Sequence, residues 1–507
     1  VVSENIVEGR QRQSIMMERR RCVPALMLLL WSVCAQADTE MQQQLRGSGV
    51  DDSSKKSNDQ ESKLDHDGDV TGFRKLPPSG SRKDRFPSVE ERVKLYMSNW
   101  YVPPCSDNTD GLARYQYDMS NKWPKVNVTD VSQKNVNQST LSIQNIIEPD
   151  QLFLLDPDIL ADCARPRDQV AEDEENGIKY ETEDRVKFRI NMNMYCTDTV
   201  DLLQTREHVG LEYETDEERL LLQETPVLMQ FGDMKRSHVF GMINVPHIKK
   251  FRSGTTQANL DKVTSEECYH GARPMLTNNH NFAYFQPVVW KLATHRHYRA
   301  LPEVFNLDTP WEKKMDKAIF RGQLTGAVDD GYDKKDSDYN NCMKMRRCKL
   351  VYDSATSEYI DAKLTNTRKR LPESIDGRQI LESKIPMERL MEFKAIIMIE
   401  GNDVASGLKW ALLSQSVVLM SKPRFTSWAM EELLEPWVHY IPINDDASDV
   451  EEKLKWMFSH DDEARQISER ASLWMEDLIF HPDAARDDTL IKEDILRRYR
   501  AHFIKAE

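Results

Sequence analysis

Short apolar runs alternate with helical stretches between Trp311 and Pro442. The four runs span residues 317–320, 393–399, 416–420 and 437–442. The stretch from Val404 to Leu413 lies between the second run and the third, and it predicts a short helix with Ser406 near its start. This alternation is typical of parallel strands that are covered on both faces. The pattern therefore predicts an α/β unit with a parallel sheet in this half of the chain.

Polar residues and glycines follow the first two runs, where the predicted strands would end. Arg321 and Gly322 follow the first run, and a loop with Ser406, Gly407 and Lys409 follows the second. Ligands of parallel sheets bind beyond the carboxyl ends of the strands, and the free N–H groups of a helix start suit a phosphate. These residues therefore predict a phosphate or nucleotide-diphosphate site. An ordinary strand–helix turn with a surface lysine is the alternative interpretation.

The region before residue 311 predicts a second α/β unit. Residues 88–100 have the apolar spacing of an amphipathic helix, and residues 151–162 predict another helix. The strand candidates are residues 187–194, 226–231, 238–245 and 282–290. Residues 226–231 end at Gly232 and Asp233. We therefore expect an N-terminal α/β domain, a C-terminal α/β domain and a terminal helix, at residues 87–310, 311–482 and 483–507.

The tail beyond the last apolar run has the pattern of helices. Ser448 and Glu451 have the spacing of a capping box at a helix start. Two sets of apolar residues recur at helical spacing: Ile467, Ala471, Trp474 and Leu478, then Leu490, Ile491, Ile495, Tyr499 and Phe503. These two stripes predict helix faces that point into a core.

The N-terminal residues predict entry into the secretory pathway. Residues 1–37 contain a basic region at 19–21, an apolar stretch at 23–33 and a small-x-small cleavage site at 35–37. A short membrane anchor that stays uncleaved is the alternative. Residues 38–86 have almost no large apolar side chains, so they predict a disordered stem.

Charge and metal-ligand spacing limit the partners of the chain. Its 507 residues include 84 acidic and 69 basic ones, for a net charge of −15 at pH 7. This balance argues against nucleic acid as a partner, because phosphate backbones require a basic surface. The aspartates of the polar insertion 325–347 lack the spacing of metal ligands, so we expect a solvated loop there. A metal site in this loop is the alternative.

The cysteines and glycosylation sequons agree with a lumenal protein. Six cysteines follow the signal segment: Cys105, Cys163, Cys196, Cys268, Cys342 and Cys348. An even number in a secretory chain allows up to three disulfides, and the last two cysteines are close enough to close a small loop. One or more pairs of buried thiols is the alternative. Sequons at Asn127 and Asn137 fit a surface segment in the same compartment.

Several segments together resemble glycosyltransferase family 90, which holds the Rumi-type protein O-glucosyltransferases and the capsule-associated xylosyltransferases. Residues 317–322 are similar to the family's phenylalanine-arginine-glycine segment, and Thr325 with Gly326 continues it. Residues 393–420 resemble the family's strand, glycine-containing loop, helix and strand. Residues 435–443, with the sequence Glu-Pro-Trp-Val-His-Tyr-Ile-Pro-Ile, form the most specific match. The resemblance covers roughly residues 220–500.

The resemblance implies a GT-B fold, in which two Rossmann-type domains face a cleft. It also implies a UDP-sugar donor, UDP-glucose or UDP-xylose, inversion at the anomeric carbon, and no metal or other cofactor. The family's catalytic base matches Asp233 here, for which an ordinary strand-end aspartate is the alternative. Arg296 beside His297 would lie near the cleft and contact the donor or the acceptor, although a surface Arg–His pair explains them as well. Arg321, Gly322, Ser406, Gly407 and Lys409 would hold the diphosphate.

Two departures from the family pattern affect this expectation. Leu324 and Gly407 stand where animal members often carry arginines, so the diphosphate site loses positive charge. The sequence therefore predicts an inverting glycosyltransferase in the lumen of the endoplasmic reticulum or the Golgi. A secreted or a membrane-anchored form of the enzyme is also consistent with the sequence. Its acceptor would be a protein serine or a glycan hydroxyl. A non-catalytic secretory binding protein of the same fold, and a phosphate-binding enzyme of another class, are the alternatives.

Overall fold

The computed structural model describes residues 81–105, 115–118, 125–127, 153–154, 227–229, 246–269, 276–277, 283–284, 286–291, 295–326 and 332–505. All of them lie in one compact unit, which extends from Val70 to the end of the chain. The predicted signal segment, the stem up to residue 80 and Asp233 lie outside the described residues. The strand candidates at 187–194 and 238–245 lie outside them as well.

The described helices are mostly short before residue 450 and long after it. The α-helices are Arg82–Arg85 (α1), Val89–Met97 (α2), Gln257–Thr264 (α3), Leu301–Leu307 (α4), Asp338–Lys344 (α5), Arg346–Asp353 (α6), Met387–Leu390 (α7), Leu408–Leu413 (α8), Val450–Ser459 (α9), Asp461–Ile479 (α10) and Ala484–Arg500 (α11). A π-helix spans His295–Arg299, and 3-10 helices span Ser98–Trp100, Trp311–Lys313 and Glu431–Leu433.

The described strands fall into one five-stranded sheet and several smaller ones. They are Tyr115–Asp118 (β1), Lys125–Asn127 (β2), Phe153–Leu154 (β3), Leu228–Met229 (β4), Ile248–Lys249 (β5), Phe251–Ser253 (β6), Leu276–Thr277 (β7), Ala283–Tyr284 (β8), Val288–Val289 (β9), Met315–Gln323 (β10), Ile360–Asn366 (β11), Ser374–Ile375 (β12), Arg378–Gln379 (β13), Phe393–Ile397 (β14), Val417–Met420 (β15), Phe425–Ser427 (β16), Ile441–Pro442 (β17) and Phe503–Lys505 (β18).

The five-stranded sheet has the order β11-β10-β14-β15-β17, and all of its pairings are parallel. Each of the four predicted apolar runs contributes a strand to it, so the prediction of a parallel sheet is confirmed. The fourth strand is shorter than predicted and begins only at Ile441. The run before it is a turn, because Trp437 has a φ of 63° and its N–H donates to the carbonyl of Tyr440.

Helices and loops cover this sheet on both faces. Side chains alternate along β14, so that Ile396 packs into one apolar core while Ala395 and Ile397 pack into the other. The core that contains Ile396 also includes Leu408 of α8 and Trp474 of α10. The alternation follows from the two-residue repeat of a strand, and it explains why these strands read as continuous apolar runs.

A smaller sheet lies before residue 300, in the order β3-β4-β5-β9. Its pairs β4–β5 and β5–β9 are parallel, and β3–β4 is antiparallel. The strand predicted at residues 226–231 is confirmed at β4. The helix predicted at residues 151–162 is wrong at Phe153 and Leu154, because these two residues pair with β4 as a strand. Two complete Rossmann-type domains, as in a GT-B fold, stay a prediction.

The two sheets share one apolar core and are joined by polar contacts. Strand β6 pairs with β16 in antiparallel register, with Phe251 opposite Ser427. Arg252, which is 1% exposed, forms a two-pronged ion pair with Glu432. Ile248 and Val288 belong to the same core as Ile396. Residues 246–264 therefore pack directly onto the C-terminal sheet.

The ends of the described chain pack against each other. Phe86 is buried and contacts Trp474 edge-on, with ring centroids 5.0 Å apart. Arg82 and Arg85 of α1 pair with Asp487 and Asp477 at 2.6 and 2.7 Å. The expected stem therefore ends before Ser81 and not at residue 86, because the α1 segment belongs to the fold.

The C-terminal segment is more than the helix expected at residues 483–507. Helix α11 ends at Arg500, and β18 then pairs in parallel with β1. Ile491, Ile495 and Tyr499 are buried as predicted, whereas Leu490 is 43% exposed. The capping box predicted at Ser448 is absent, since Asp449 occupies the N-cap of α9 and makes no side-chain cap bond.

The cysteines of the described residues form two disulfides. Cys342 and Cys348 are bonded, as their spacing predicts, and Cys105 is bonded to Cys268. Cys163 and Cys196 lie outside the described residues. None of the described helices is long and apolar enough to cross a membrane.

Candidate active site

A recess lies beyond the carboxyl ends of β14 and β15, beside the start of α8. The recess is small, with room for about one water molecule. The lining is mostly apolar and includes two carboxylates: Met398, Glu400, Val404, Ala405, Leu408, Met420, Ser421, Pro423 and Glu431. This is the edge at which ligands of parallel sheets bind. The predicted loop with Ser406 and Gly407 runs beside this recess.

Arg321 lies at the end of β10 and is held by acidic side chains. Its guanidinium contacts Asp361 at 2.9 Å and Glu382 at 2.9 Å, and it also donates to the carbonyls of Phe320 and Asp361. The side chain is only 7% exposed, while both carboxylates are more than a third exposed. A diphosphate at Arg321 would therefore have to compete with two carboxylates. Its role in donor binding stays a prediction.

A Cβ would clash with the chain itself at Gly322, and it would be in tight contact with a side chain at Gly407. A Cβ at Gly322 would lie 2.7 Å from the ring of Phe320, which is buried. A Cβ at Gly407 would lie 3.1 Å from the indole nitrogen of Trp410. Gly407 is the N-cap of α8, so the helix begins later than predicted and Ser406 lies in the turn before it. Contact of these three residues with a donor stays a prediction.

Lys409 is buried in the first turn of α8, and it does not face solvent. Its Nζ lies 2.8 Å from Oε1 of Glu431, and each side chain is 1% exposed. Burial works to raise the pKa of Glu431, but the charge of Lys409 and the N–H and O–H donors of Ser427 outweigh it and hold that pKa below its usual value. The alternative of a surface lysine is wrong, and the positive charge is already neutralised inside the fold.

Glu400, the other acidic residue of the recess, is paired in a similar way. Its carboxylate accepts hydrogen bonds from Nε and the backbone N–H of Arg424 and from the N–H of Phe425, at 2.9 to 3.1 Å. Burial raises the pKa of Glu400 although Arg424 opposes the shift. The recess therefore combines apolar walls with two carboxylates that are already paired with cations, Glu400 with Arg424 and Glu431 with Lys409.

The two remaining predicted site residues lie in the part of the chain before the C-terminal sheet. Arg296 belongs to the π-helix His295–Arg299, which directly precedes α4. Asp233, the predicted base, lies outside the described residues, so its place relative to Arg321 and Lys409 stays a prediction. Across the described ranges, no group of three histidine, cysteine, aspartate or glutamate side chains is arranged to hold a metal ion.

Arg347 is a cation at this edge that the sequence pattern does not predict. Its Nη1 donates to the carbonyl of Gln323 at 2.9 Å and to Oγ1 of Thr325 at 2.7 Å, and its Nη2 donates to the carbonyl of Ile399 at 2.5 Å. Arg347 therefore connects the loop after β10 with the loop after β14. The only signal in the sequence is its position next to Cys348, and spacing alone does not bring it to the sheet edge.

These two loops approach each other through a pair of glycines. Gly326 has a φ of 73°, and a Cβ on it would lie 2.6 Å from the carbonyl oxygen of Gly401. A Cβ on Gly401 would lie 2.7 Å from Oγ1 of Thr325 and 3.1 Å from Nη2 of Arg347. Only residues without a Cβ permit this approach, so the Thr325-Gly326 sequence has a structural reason at the sheet edge.

The sheet, the recess and Arg347 all fall within one matched segment. The profile of glycosyl transferase family 90 matches residues 300–481. This range begins at α4 and contains all five strands of the parallel sheet. Residues 300–481 belong to glycosyltransferase family 90. The resemblance seen in the sequence is thereby confirmed for this segment.

Curated relatives match parts of the same chain. O-glucosyltransferase LpsA of Dichelobacter nodosus is 38% identical over 89 residues, which is 18% of this chain and 28% of that protein. Protein O-glucosyltransferase 2 of Danio rerio is 32% identical over 160 residues, or 31% of this chain and 28% of that protein. Protein O-glucosyltransferase 3 of Homo sapiens is 34% identical over 89 residues, or 17% of each. The matched segments span less than a third of each of these relatives.

The most specific motif of the family 90 segment, residues 435–443, forms a tight turn that leads into β17. The ring Nδ1 of His439 accepts the N–H of Glu435 at 3.0 Å, and the ring packs edge-on against Trp474. Burial, aided by the charge of Arg470, lowers the pKa of His439 to about 4. The motif therefore stabilises the fold through a buried neutral histidine.

The position of Leu324 explains one of the two departures from the family pattern. Leu324 is 1% exposed in the core below the sheet, and its N–H donates to the carbonyl of Asn366. An apolar side chain thus fills the place where animal members often carry an arginine.

Proposed function

We propose that this protein is a glycosyltransferase that moves glucose or xylose from a UDP-sugar to a protein serine or a glycan hydroxyl. The observation that carries the proposal is the family 90 segment at residues 300–481, whose parallel sheet ends at a recess. The three relatives described above are named O-glucosyltransferases, which favours glucose as the sugar.

The proposed reaction is a single inverting displacement without a metal ion. The acceptor oxygen forms a bond to the anomeric carbon, Asp233 takes the proton from that hydroxyl, and the bond to the diphosphate breaks with its electron pair leaving on UDP. Cations and N–H groups at the sheet edge would stabilise the charge of the leaving group.

The proposed compartment is the lumen of the endoplasmic reticulum or the Golgi. The disulfides Cys105–Cys268 and Cys342–Cys348 support an oxidising compartment. The secretory signal in residues 1–37 and the sequons give the same prediction from the sequence alone.

The test is release of UDP by the full chain from UDP-glucose and from UDP-xylose, each with and without a serine-containing acceptor domain. We expect release with at least one donor, and a loss of at least a hundredfold in Asp233→Asn, in line with the usual contribution of a general base. Asp445→Asn is the matched control, because Asp445 is 75% exposed and its contact with Arg346 is at 4.0 Å. Unchanged release by Asp233→Asn would contradict the assigned base, and no release from either donor would contradict the proposed activity.

A non-catalytic binding protein of the same fold is the second candidate. The observation in its favour is that Arg321 and Lys409 are both paired with carboxylates inside the chain. Thermal shift with UDP separates the two candidates. Stabilisation of the full chain by UDP, reduced in Arg321→Ala but not in the exposed control Arg389→Ala, supports a donor site. The absence of any shift, together with no UDP release, supports the binding protein.

A further inference from the structure

Arg347 differs from the other cations at the carboxyl edge of the sheet in how its charge is balanced. Salt bridges join Arg321 to Asp361, Lys409 to Glu431, Arg424 to Glu400 and Lys250 to Asp403. Its hydrogen bonds within the described part of the chain go to two carbonyls and one hydroxyl, which carry no charge. Among the residues that the structure describes, no carboxylate lies within ion-pair distance of its guanidinium. Within the described residues, its charge is therefore left without a direct counter-ion.

The surroundings of Arg347 make this charge costly to keep. Burial, with the charge of Arg346 added, lowers the pKa of Arg347 to about 10, while Asp403 and Glu400 oppose the shift. Both of those carboxylates already have other cations as partners. A pKa of about 10 still leaves the guanidinium protonated at neutral pH. Arg347 is half-buried, and a partly desolvated cation without an acidic partner among the described residues is destabilising. A bound anion would reduce that penalty.

The guanidinium also has N–H groups left to offer. An arginine side chain has five N–H hydrogens, and the three contacts described above use three of them. The Nε of Arg347 is buried and has no acceptor among the described residues. Gly401 passes close to the guanidinium, where a Cβ would lie 3.1 Å from Nη2. The remaining N–H of Nη2, with a glycine beside it that permits close approach, suits contact with an anion.

We propose that Arg347 is the anion-binding cation of this sheet edge and that it holds the phosphate groups of the donor. It would supply the charge that Leu324 and Gly407 do not supply, so the diphosphate would lie against the loops of Thr325 and Gly401 and not against Lys409. The identity of the anion as a donor diphosphate rests on the proposed function. The anion site itself does not depend on sugar transfer.

The experiment measures binding of inorganic pyrophosphate to the full chain by calorimetry, without any sugar nucleotide. The variants are Arg347→Met, which removes the charge, and Arg347→Lys, which keeps the charge without the planar fork. Arg389→Met is the matched control, since Arg389 is 62% exposed and pairs only with Glu392 within its own segment. We expect wild-type protein to bind, Arg347→Met to bind at least about tenfold more weakly, and the control to bind as the wild type does.

A purely structural role for Arg347 gives a different result. If Arg347 only connects the two loops, Arg347→Met unfolds at a lower temperature but keeps the wild-type affinity for pyrophosphate, and the proposal is overturned. The absence of pyrophosphate binding to the wild type also overturns it. If Arg347→Met does not fold, Arg347→Lys decides, because loss of the fork weakens an anion site several-fold, whereas unchanged affinity contradicts one.

The same variants separate this proposal from the proposed function. Pyrophosphate binding that depends on Arg347, without UDP release from either donor, leaves the anion site standing and refutes the transferase. UDP release by Arg347→Met with an unchanged KM for the donor refutes the anion site and leaves the transferase standing.

Discussion

Replacement of Lys409 by methionine tests whether this residue serves the fold or a ligand. Lys409→Met keeps most of the side-chain volume and removes the charge that faces Glu431 at 2.8 Å. Both side chains are 1% exposed, so the variant leaves a buried carboxylate without its cation. Loss of one partner from a buried ion pair costs about 3–5 kcal/mol. The donors of Ser427 remain and favour the lower end of that range.

The assay is equilibrium unfolding in urea at pH 7, followed by tryptophan fluorescence. With an m-value of about 3 kcal/mol/M, the midpoint of Lys409→Met should fall by roughly 1 M. Lys422→Met is the control, because Lys422 is exposed in the neighbouring loop, and its midpoint should change by less than about 0.2 M. The double variant Lys409→Met with Glu431→Gln should recover part of the loss, since no charge is then buried alone.

The pH dependence of the loss gives a second readout. In the wild type Glu431 has a lowered pKa, so its stabilisation is present above the unfolded pKa and is lost as the pH falls through the folded one. Without Lys409, only the donors of Ser427 oppose the effect of burial, so the pKa of Glu431 rises relative to the wild type. Protonation at lower pH then removes the unpaired buried charge of the variant. The stability gap between wild type and variant should therefore narrow from pH 7 to pH 4. An unchanged midpoint in Lys409→Met, combined with loss of UDP binding, would refute this reasoning and return Lys409 to the donor site.

Three further predictions concern the histidine of the family motif, a disulfide and the N-terminal segment. Between pH 6.5 and 4, His439 binds a proton in the unfolded chain but not in the folded one. As the pH is lowered through this range, the free energy of unfolding of the wild type should therefore decrease more steeply than that of His439→Gln, by up to about 1.4 kcal/mol per pH unit. Equal slopes in urea titrations of the two proteins would contradict this. Cys348→Ala opens a disulfide loop with a sequence separation of 6, and it should lower the free energy of unfolding in urea by about 2 kcal/mol. It should also weaken pyrophosphate binding, because Arg347 is the neighbouring residue. Wild-type affinity for pyrophosphate would show that the anion site does not depend on this disulfide. Phe86→Ala should lose about 3 kcal/mol or more in thermal unfolding because its ring packs on Trp474, and a neutral result would return residues up to 86 to the stem.

The candidate site shows where local patterns stop being informative. The sequence pattern predicts that Gly322 and Gly407 lie against a bound diphosphate. In the structure Gly322 lies close to the ring of Phe320, and Gly407 lies close to the indole of Trp410. A glycine pattern reports that a Cβ is not tolerated, but it does not report which atom occupies that space. Arg347 shows the converse, because nothing in its local sequence predicts contacts with Gln323 and Ile399, which lie 24 and 52 residues away.

The amino-acid sequence by itself determined the parallel sheet, the helical tail, the Cys342–Cys348 loop and the family of residues 300–481. These features depend on side-chain periodicity and on short spacings, which a single chain displays directly. Only the tertiary structure decided which charges are used internally. The acidic partners of Arg321 lie 40 and 61 residues away along the chain and that of Lys409 lies 22 residues away. Pairing of that kind depends on how strands and helices pack. The same packing gives Arg347 no acidic partner among the described residues. This lack of an ion pair is the reason for the anion site that we propose at the sheet edge.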